Sequence, residues 1–274
     1  MTFSKIRLLA MNAITQLPIF IINMPKDTKR RSSITARLKH LELKASFIEG
    51  VDGLAMSDQD IDLVYDSTKR KRYFGRDMTK GEIGCLLSHR NIFTKMVDEQ
   101  IPVAVILEDD VIFEPDFKQA LAAISDSSMK WDVIRFLGSK KIYKRGCRKI
   151  AKLGNTRYQF ARLPTAPGGA HGYMLTLEAA TIMLKHMQRS WVPIDTLQGR
   201  CWETGLETLV LYPAPLYPDP NEETTIGNDI RFDKTVKLTG LARTLYPLTR
   251  TWFKLCENIG KRWVYWGAYA RDKR

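Results

Sequence analysis

The segment PVAVILEDD at 102–110 constrains the fold of this chain more than any other. Residues 102–107 are apolar on both faces, which is typical of a central parallel strand covered by helices on each side. Three carboxylates, Glu108, Asp109 and Asp110, follow directly. Open α/β sheets bind ligands at the carboxyl ends of their strands, and clustered like charges favour a cation between them. The triplet therefore indicates either a metal site or a solvated acidic turn.

The flanking sequence alternates between strand and helix patterns. An apolar, β-rich run at 18–23 and a second at 45–53 enclose a helical pattern at 34–43, and such a unit builds a mainly parallel sheet. The pattern continues with predicted helices at 79–100 and 177–188, predicted strands at 131–138, 168–176 and 207–217, and a long polar loop at 54–80. We therefore expect one α/β domain over residues 1–227, with a C-terminal extension of different character over residues 228–274.

Composition narrows the classes of partner and compartment. The 43 Lys and Arg residues exceed the 30 Asp and Glu residues, which gives a formal net charge of +13. This excess predicts an anionic partner, which could be nucleic acid, acidic lipid or a phosphorylated substrate. The four cysteines lie far apart without a CxxC pair, a usage typical of reduced cytoplasmic proteins. No stretch approaches the roughly 18 uninterrupted apolar residues of a membrane-spanning helix, so we expect none.

Several short motifs, spread over residues 18–227, occur in the order in which a known enzyme family has them. LEDDVIFEPDF follows GEIGCLLSHRNIF, and both come after the opening segment IFIINMPKDTKRRSSI and the Asp-Gly of EGVDG. The Gly-Tyr of GGAHGYMLT and the Pro-Ile-Asp of WVPID come later. This series resembles glycosyltransferase family 25, the lipopolysaccharide and lipooligosaccharide biosynthesis enzymes. The resemblance implies a GT-A-like, Rossmann-like fold and inverting transfer of a sugar, usually galactose from UDP-galactose, to a saccharide hydroxyl.

The resemblance also implies roles for the acidic triplet. It looks like the family's version of an Asp-x-Asp motif, so Glu108 and Asp110 would hold Mn²⁺ or Mg²⁺ against the donor diphosphate. The ion would stabilise the charge that develops on the leaving UDP. Side chains alternate along an extended strand, so Asp109 would point the other way and face the ribose or the sugar.

Seven side chains are assigned by the same resemblance to donor binding: Asn23, Arg30, Glu82, Ser88, His89, Asp109 and His171. Asn23 would read uracil or ribose, and Arg30 would pair with phosphate or form a structural salt bridge. Glu82 and His89 lie two helical turns apart and so share a face. His89 could hydrogen-bond the diphosphate, orient a metal-binding carboxylate, or cap an internal polar network. His171, after two glycines, could stack on the sugar or simply occupy a turn.

Inverting transfer needs a general base that takes the proton of the acceptor hydroxyl. The Pro-Ile-Asp match favours Asp195 for this role, and Glu203 and Glu207 are the reserve candidates. Sequence spacing does not decide which of these carboxylates reaches the acceptor.

Residues 241–274 interleave basic and aromatic side chains, with eight basic and two acidic residues. Rings and cations together suit the headgroup region of an anionic bilayer. We therefore expect a cytoplasmic enzyme, peripheral on the cytoplasmic face of the bacterial inner membrane, that meets a glycolipid acceptor there. The alternative is a C-terminal helix whose aromatic side chains pack on the domain core.

Two other functional classes are weighed against sugar transfer. A basic nucleic-acid-binding protein agrees with the net charge, but no recognised nucleic-acid motif occurs, and three carboxylates would repel a phosphate backbone. A metal-dependent phosphohydrolase would need a fuller ligand set, and the four histidines show no paired metal spacing. We therefore expect a UDP-sugar, a glycolipid and an anionic membrane as partners, rather than nucleic acid.

Overall fold

The computed structural model describes residues 17–136, 146–165, 168–222 and 235–273. The strands are β1 (Ile19–Asn23), β2 (Ser46–Glu49), β3 (Val103–Glu108), β4 (Val111–Phe113), β5 (Val133–Arg135), β6 (Arg148–Lys152), β7 (Gln159–Arg162), β8 (Gly172–Thr176), β9 (Thr208–Tyr212) and β10 (Leu216–Pro218). The α-helices are α1 (Thr28–His40), α2 (Asp58–Val64), α3 (Ser67–Phe74), α4 (Lys80–Asp98), α5 (Phe117–Ser125), α6 (Leu177–His186), α7 (Ile194–Gln198), α8 (Cys201–Thr204), α9 (Gly240–Gly267) and α10 (Tyr269–Asp272).

A central sheet orders its strands β2-β1-β3-β8-β5-β9-β7-β6. Strand β1 pairs in parallel with β2 and β3, and β5 pairs in parallel with β9. Strand β8 runs antiparallel between β3 and β5, and β7 runs antiparallel to both β9 and β6. Six of the eight strands described in this sheet therefore run in one direction, so the predicted mainly parallel, Rossmann-like α/β architecture is confirmed.

Both faces of the sheet are buried, as the apolar run at 102–107 predicts. Val105 and Leu107 pack on one face with α1 and α5, whereas Ala104 and Ile106 pack on the other with α4 and α6. Alternate residues of β3 thus enter different halves of the core, which is the reason why its sequence shows no polar face. The same covering leaves the end of β3, at Glu108, as the first polar position of the strand.

Two predictions about secondary structure are wrong. Residues 54–80 are not a long loop, because they contain α2 and α3, which begin at capping side chains (Ser57 and Asp66), and α3 ends at Gly75 with φ 75°. The predicted strand 207–217 is two strands, β9 in the central sheet and β10 in a two-stranded sheet with β4. The intervening Pro213 and Pro215 have no N–H to donate to a ladder. The segment 140–149 is rich in basic residues, which predicts a loop or hairpin, and its residues 140–145 lie outside the described residues.

The described part of the C-terminal extension contains helices α9 and α10, and α9 packs across α3 and α8. Phe253 is buried against Tyr73, Phe74 and Trp191, with ring centroids 4.7–5.6 Å apart. Beyond α9, Asp272 forms buried ion pairs with Arg148 and Arg162. Among the described residues, no helix combines the length and apolar character that crossing a bilayer requires.

Candidate active site

Two adjoining cavities lie where the parallel strands β1 and β3 end. The first, the β3 cavity, is lined by Arg30, Ser88, His89, Glu108, Asp109, Asp110 and His171, together with other residues. The second, the Asp195 cavity, has among its lining residues Arg70, Phe74, Arg76, Glu82, Ala170 and Asp195. Cys85, Glu108 and His171 line both and form a shared wall. The end of β3 is thus the meeting point of two candidate ligand sites.

Close packing of β8 on β3 brings His171 to the end of the acidic strand. Gly172 pairs with Leu107, and the Glu108 N–H donates a 2.9 Å hydrogen bond to the His171 carbonyl. A Cβ on Gly172 would lie 2.7 Å from Leu216 Cδ2 and 3.0 Å from Leu107 Cδ2, so only glycine fits without displacing the core. This glycine therefore positions the His171 side chain beside the carboxylates.

A second glycine fits α4 against the loop that follows β2. A Cβ on Gly84 would lie 2.5 Å from the Val51 carbonyl oxygen. One turn later, Ser88 Oγ accepts a 2.9 Å hydrogen bond from the Val51 N–H and donates to the Gly84 carbonyl. The helix begins at a capping box formed by Thr79 and Glu82. Ser88 lines the β3 cavity, and its hydroxyl joins α4 to the loop after β2 in the cavity wall.

Glu108 and Asp110 both face His171. Its Nδ1 lies 2.9 Å from Glu108 Oε2 and 3.7 Å from Asp110 Oδ1. Burial opposes ionisation of Glu108, but the positive charge of His171 outweighs it and holds the pKa of Glu108 well below its usual range. Burial also works against the imidazolium, yet the two carboxylates raise the pKa of His171 to about 10. The cluster therefore places one positive charge between two negative ones.

The same three residues offer a ligand set for a divalent ion. One ligand atom each from Glu108, Asp110 and His171 lies within 4.8 Å of the others. Asp110 Oδ1 and His171 Nδ1 are buried without a hydrogen-bond partner. Two carboxylate oxygens and an imidazole nitrogen fit a hard or borderline divalent ion once His171 is deprotonated. Cys85, His89 and Glu108 form a second, overlapping group of candidate ligands.

Strand β3 ends at Glu108, so Asp109 lies in a turn rather than in the continued strand that the predicted alternation requires. Its carboxylate accepts a 2.6 Å hydrogen bond from Asn23 Nδ2 and pairs with Arg30 Nη1 at 3.3 Å. Burial raises the pKa of Asp109, against the influence of Asn23 and Arg30. Arg30 also pairs with Glu222 at 3.1 Å. Asn23, at the end of β1, thus holds Asp109 in place. Arg30 lines the β3 cavity and also forms the structural salt bridges expected as the alternative to phosphate binding.

His89 is fully buried behind Glu108. Its Nδ1 hydrogen-bonds with the Tyr173 hydroxyl at 2.7 Å, and its Nε2 lies 3.9 Å from Glu108 Oε1. His89 therefore lies between Tyr173 and Glu108 as part of an internal polar network. Its helix neighbour Glu82 lines the Asp195 cavity instead, where its Oε2 accepts the Thr79 N–H at 2.8 Å.

The three candidate bases lie in different places. Asp195 lines its cavity at the start of α7, with Oδ2 accepting the Gly169 N–H at 2.8 Å and Oδ1 accepting the Thr196 N–H at 2.6 Å. Glu203 lies outside both cavities and forms an ion pair with Arg200, 2.6 Å from Nε. Glu207 pairs with Arg162 and Arg271. Asp195 is therefore the candidate that adjoins the shared wall.

Three residues of the site have no assignment from the sequence. Arg70 and Arg76 line the Asp195 cavity, but both fall in the segment predicted as a polar loop. Tyr173, the partner of His89, belongs to the Gly-Tyr motif. The motif therefore pointed to this residue but did not predict its hydrogen bond with His89. A run of basic residues at 69–72 contains nothing that distinguishes the buried Arg70 from its neighbours.

A known protein family matches more than half of this chain. The family model described as "Glycosyltransferase family 25 (LPS biosynthesis protein)" matches residues 16–198. "Procollagen galactosyltransferase 2" of Homo sapiens is 29% identical over 173 residues, which cover 59% of this chain and 26% of that protein. "Glycosyltransferase 25 family member" of Aedes aegypti is 32% identical over 190 residues, which cover 65% of this chain and 29% of that protein.

One of the relatives is named as an inactive family member. "Probable inactive glycosyltransferase 25 family member 3" of Rattus norvegicus is 31% identical over 133 residues, covering 45% of this chain and 23% of that protein. The chain therefore spans less than a third of the length of each of these three relatives. Similarity alone does not separate active from inactive members, and the side chains of the two cavities must carry that distinction.

Proposed function

The chain belongs to glycosyltransferase family 25, and from this premise we propose that it transfers galactose from UDP-galactose to a hydroxyl of a lipooligosaccharide or lipopolysaccharide, with inversion at the anomeric carbon. The observation that carries the proposal is the shared wall: Glu108 and His171 border both the β3 cavity and the Asp195 cavity. A donor in one cavity and an acceptor in the other would meet there. The names of the human and zebrafish relatives support galactose as the transferred sugar.

We assign the donor to the β3 cavity. Glu108 and Asp110 would hold Mn²⁺ or Mg²⁺, and His171 would be the nitrogen ligand of the set. When bound, the ion supplies positive charge that stabilises the leaving diphosphate. Arg30, held by Asp109 on the cavity wall, adds a fixed cation for phosphate or ribose oxygens. His89 keeps Glu108 oriented through its contact from behind.

We assign the acceptor to the Asp195 cavity and the role of general base to Asp195. Both carboxylate oxygens of Asp195 accept backbone N–H groups, which fixes their position, and each oxygen has a second lone pair for an incoming hydroxyl. Asp195 would take the hydroxyl proton as the acceptor oxygen attacks the anomeric carbon from the side opposite UDP. Glu203 is bound by Arg200 outside both cavities, so we do not propose it as the general base.

We further propose that the enzyme works on the anionic cytoplasmic face of the bacterial inner membrane and binds it through α9. One side of α9 packs on the domain through Phe253 and Glu257. The opposite side carries a stripe of exposed apolar residues, the α9 stripe: Leu241, Leu245, Leu248, Trp252, Leu255, Ile259, Trp263 and Trp266. Exposed tryptophans such as Trp263, at 79% exposure, suit the interface between headgroups and acyl chains.

The charges around the α9 stripe favour an anionic bilayer as its occupant. Among residues 235–273 both carboxylates, Glu257 and Asp272, are buried and paired with Lys or Arg. Exposed basic side chains such as Arg243 and Arg262 therefore face solvent beside the stripe without a neighbouring acidic residue of α9. Apolar side chains flanked by cations are complementary to an anionic membrane surface. The structure thus supports both expectations for this region, since one face packs on the core and the other is left for lipid.

The decisive experiment is a turnover assay. The purified chain is incubated with UDP-galactose, Mn²⁺ and a panel of truncated lipooligosaccharide acceptors, and UDP release and the galactosylated product are measured. We expect acceptor-dependent UDP release that Glu108→Gln abolishes, whereas Asp60→Asn, an exposed carboxylate on α2, leaves it unchanged. Failure to release UDP from any UDP-hexose, with tight oligonucleotide binding instead, would favour the nucleic-acid alternative.

A further inference from the structure

Arg70 is a buried guanidinium without an anionic partner. Its side chain lies on α3 in the wall of the Asp195 cavity and is 4% exposed. Nε and Nη1 have no hydrogen-bond partner, and none of the described carboxylates lies within ion-pair distance of it. An arginine cannot lose its proton in a protein, and an unpaired buried charge is costly. A ligand of opposite charge would remove that cost.

The surroundings of Arg70 concentrate positive charge. Its Cζ lies 3.9 Å from the centre of the Phe74 ring, which holds the guanidinium plane in place. Burial lowers the pKa of Arg70, Arg76 and Arg250 lower it further, and Glu82 opposes them only in part. The Glu82 carboxylate is already engaged, because it accepts the Thr79 N–H and lies 3.7 Å from Arg76 Nη1. The nearest acidic side chain therefore does not neutralise Arg70.

We propose that the Asp195 cavity contains an anion subsite, in which Arg70 binds a phosphate or carboxylate group carried by the acceptor saccharide. The proposal rests on the assignment of this cavity to the acceptor. A guanidinium donates charge-assisted hydrogen bonds to such an anion from each of its edges, and Arg70 has an unpartnered donor on either side, Nε on one and Nη1 on the other. Arg76, on the same cavity wall, adds a second positive charge. The acceptor class is then an acidic sugar rather than a neutral one.

The position of Arg70 relative to Asp195 gives this subsite a specificity role. Both side chains line the same cavity, while Glu108 and His171 form its border with the donor side. An anionic group held by Arg70 would fix the acceptor ring, so that one of its hydroxyls is presented to Asp195. Arg70 is therefore a positioning residue, whose loss should affect acceptor binding far more than donor use.

Direct binding measurements test the subsite independently of catalysis. Glucose 6-phosphate, glucuronate and glucose are titrated calorimetrically into the wild-type chain, Arg70→Gln and Arg72→Gln. Arg72 is an exposed arginine on the same helix and lines neither cavity, so it is the matched control. We expect the wild type and Arg72→Gln to bind one or both anionic sugars about tenfold or more tightly than glucose, as charge-assisted hydrogen bonds imply, and Arg70→Gln to lose this preference.

The pattern of outcomes identifies the ligand or overturns the proposal. Preference for glucose 6-phosphate points to a phosphorylated acceptor, and preference for glucuronate points to a carboxylated one. Equal binding of the three sugars by the wild type, or a preference retained in Arg70→Gln, contradicts the subsite. If Arg70→Gln does not fold, Arg70→Lys replaces it, since it keeps the charge but loses the guanidinium N–H groups and should reduce the preference.

The same variants separate this proposal from the proposed function. Acceptor-dependent UDP release from UDP-galactose and Mn²⁺, measured in the wild type and in the control Arg72→Gln, reports the proposed transferase activity by itself. UDP release together with indifference to sugar charge would leave the transferase proposal standing and remove the anion subsite. A charge preference that depends on Arg70, without any UDP release, would establish the subsite and remove the transferase proposal.

Discussion

The two cavities that share Glu108 and His171 differ in the sign of the charge that they offer to a ligand. In the β3 cavity Glu108 faces His171, and Asp109 contacts Arg30 and Asn23. In the Asp195 cavity Arg70 is buried with no such partner. One cavity is built around negative charge that a cation can use, and the other around positive charge that an anion can use. The difference assigns a metal-bound diphosphate to the first cavity and an acidic saccharide to the second.

The largest effect is expected at the acidic end of β3. Asp110→Asn should lower transfer by about 10⁴-fold or more, because a metal ligand contributes several kcal/mol to stabilising the leaving group. UDP binding in Mn²⁺ should weaken as well, while thermal melting stays near that of the wild type. Asp60→Asn is the matched control. Undiminished transfer by Asp110→Asn, or by the wild type in excess EDTA, would contradict the metal assignment.

The next effect separates Asp195 from its reserve. Asp195→Asn should lower kcat by about 10²–10⁴-fold, the range for losing general-base assistance, with little change in donor affinity. Asparagine keeps an oxygen that can accept the Gly169 N–H, so the loop should hold. Glu203→Gln should change kcat little, because Glu203 lies with Arg200 outside both cavities. If the two variants exchange these results, Glu203 is the base.

The paired charges of the β3 cavity should matter for stability. Arg30 and Asp109 are 11% and 9% exposed, so Arg30→Met leaves a carboxylate buried with only Asn23 as partner. We expect a loss of about 2–4 kcal/mol in the free energy of unfolding, measured by urea denaturation. The double variant Arg30→Met with Asp109→Asn should recover part of this loss. Equal losses in the single and double variants would show that the pair is not coupled.

The sequence predicts a region well only where the residues that determine its structure are close together in the chain. The apolar run at 102–107 is a local signal, so strand β3 could be predicted. The contacts of Asp109 could not, because β3 ends at Glu108 and Asp109 lies in the turn that follows. Helix α3 is strongly basic and buries only Arg70, so its sequence resembles a solvated loop. The burial of Arg70 depends on α9 and on the cavity wall, which no local pattern contains.

Helix α9 shows the same limit in another form. Its apolar residues recur at helical spacing, and such a pattern normally indicates the face that packs on the core. In the structure the α9 stripe faces solvent, and the packed face includes the charged Glu257, paired with Lys254 and Lys261. The sequence therefore predicts an amphipathic helix but not which side is covered.

A smaller effect tests whether the α9 stripe acts apart from both cavities. Arg262→Glu changes the charge beside the stripe by two units, which should weaken binding to anionic vesicles by about 30-fold at roughly 1 kcal/mol for each charge. Added salt should weaken the wild type in the same direction. Lys44→Glu, an exposed charge beside β2 at the far edge of the sheet, is the control. Transfer to a short soluble acceptor should not change, and equal vesicle binding by both variants would remove the membrane assignment.

The smallest expected effect is the sharpest test of the contrast between the cavities. Arg70→Met removes a buried charge that has no anionic partner, and methionine follows the path of the arginine stem against Phe74. The lost cation–π contact, worth about 0.5–2 kcal/mol, is offset by the removal of an uncompensated charge. We therefore expect the free energy of unfolding to change by no more than about 1 kcal/mol, in contrast to the loss in Arg30→Met. Urea denaturation of both variants under the same conditions makes the comparison. A loss in Arg70→Met as large as that in Arg30→Met would mean that Arg70 is compensated within the protein, and the cavity would then have no need of an anionic ligand.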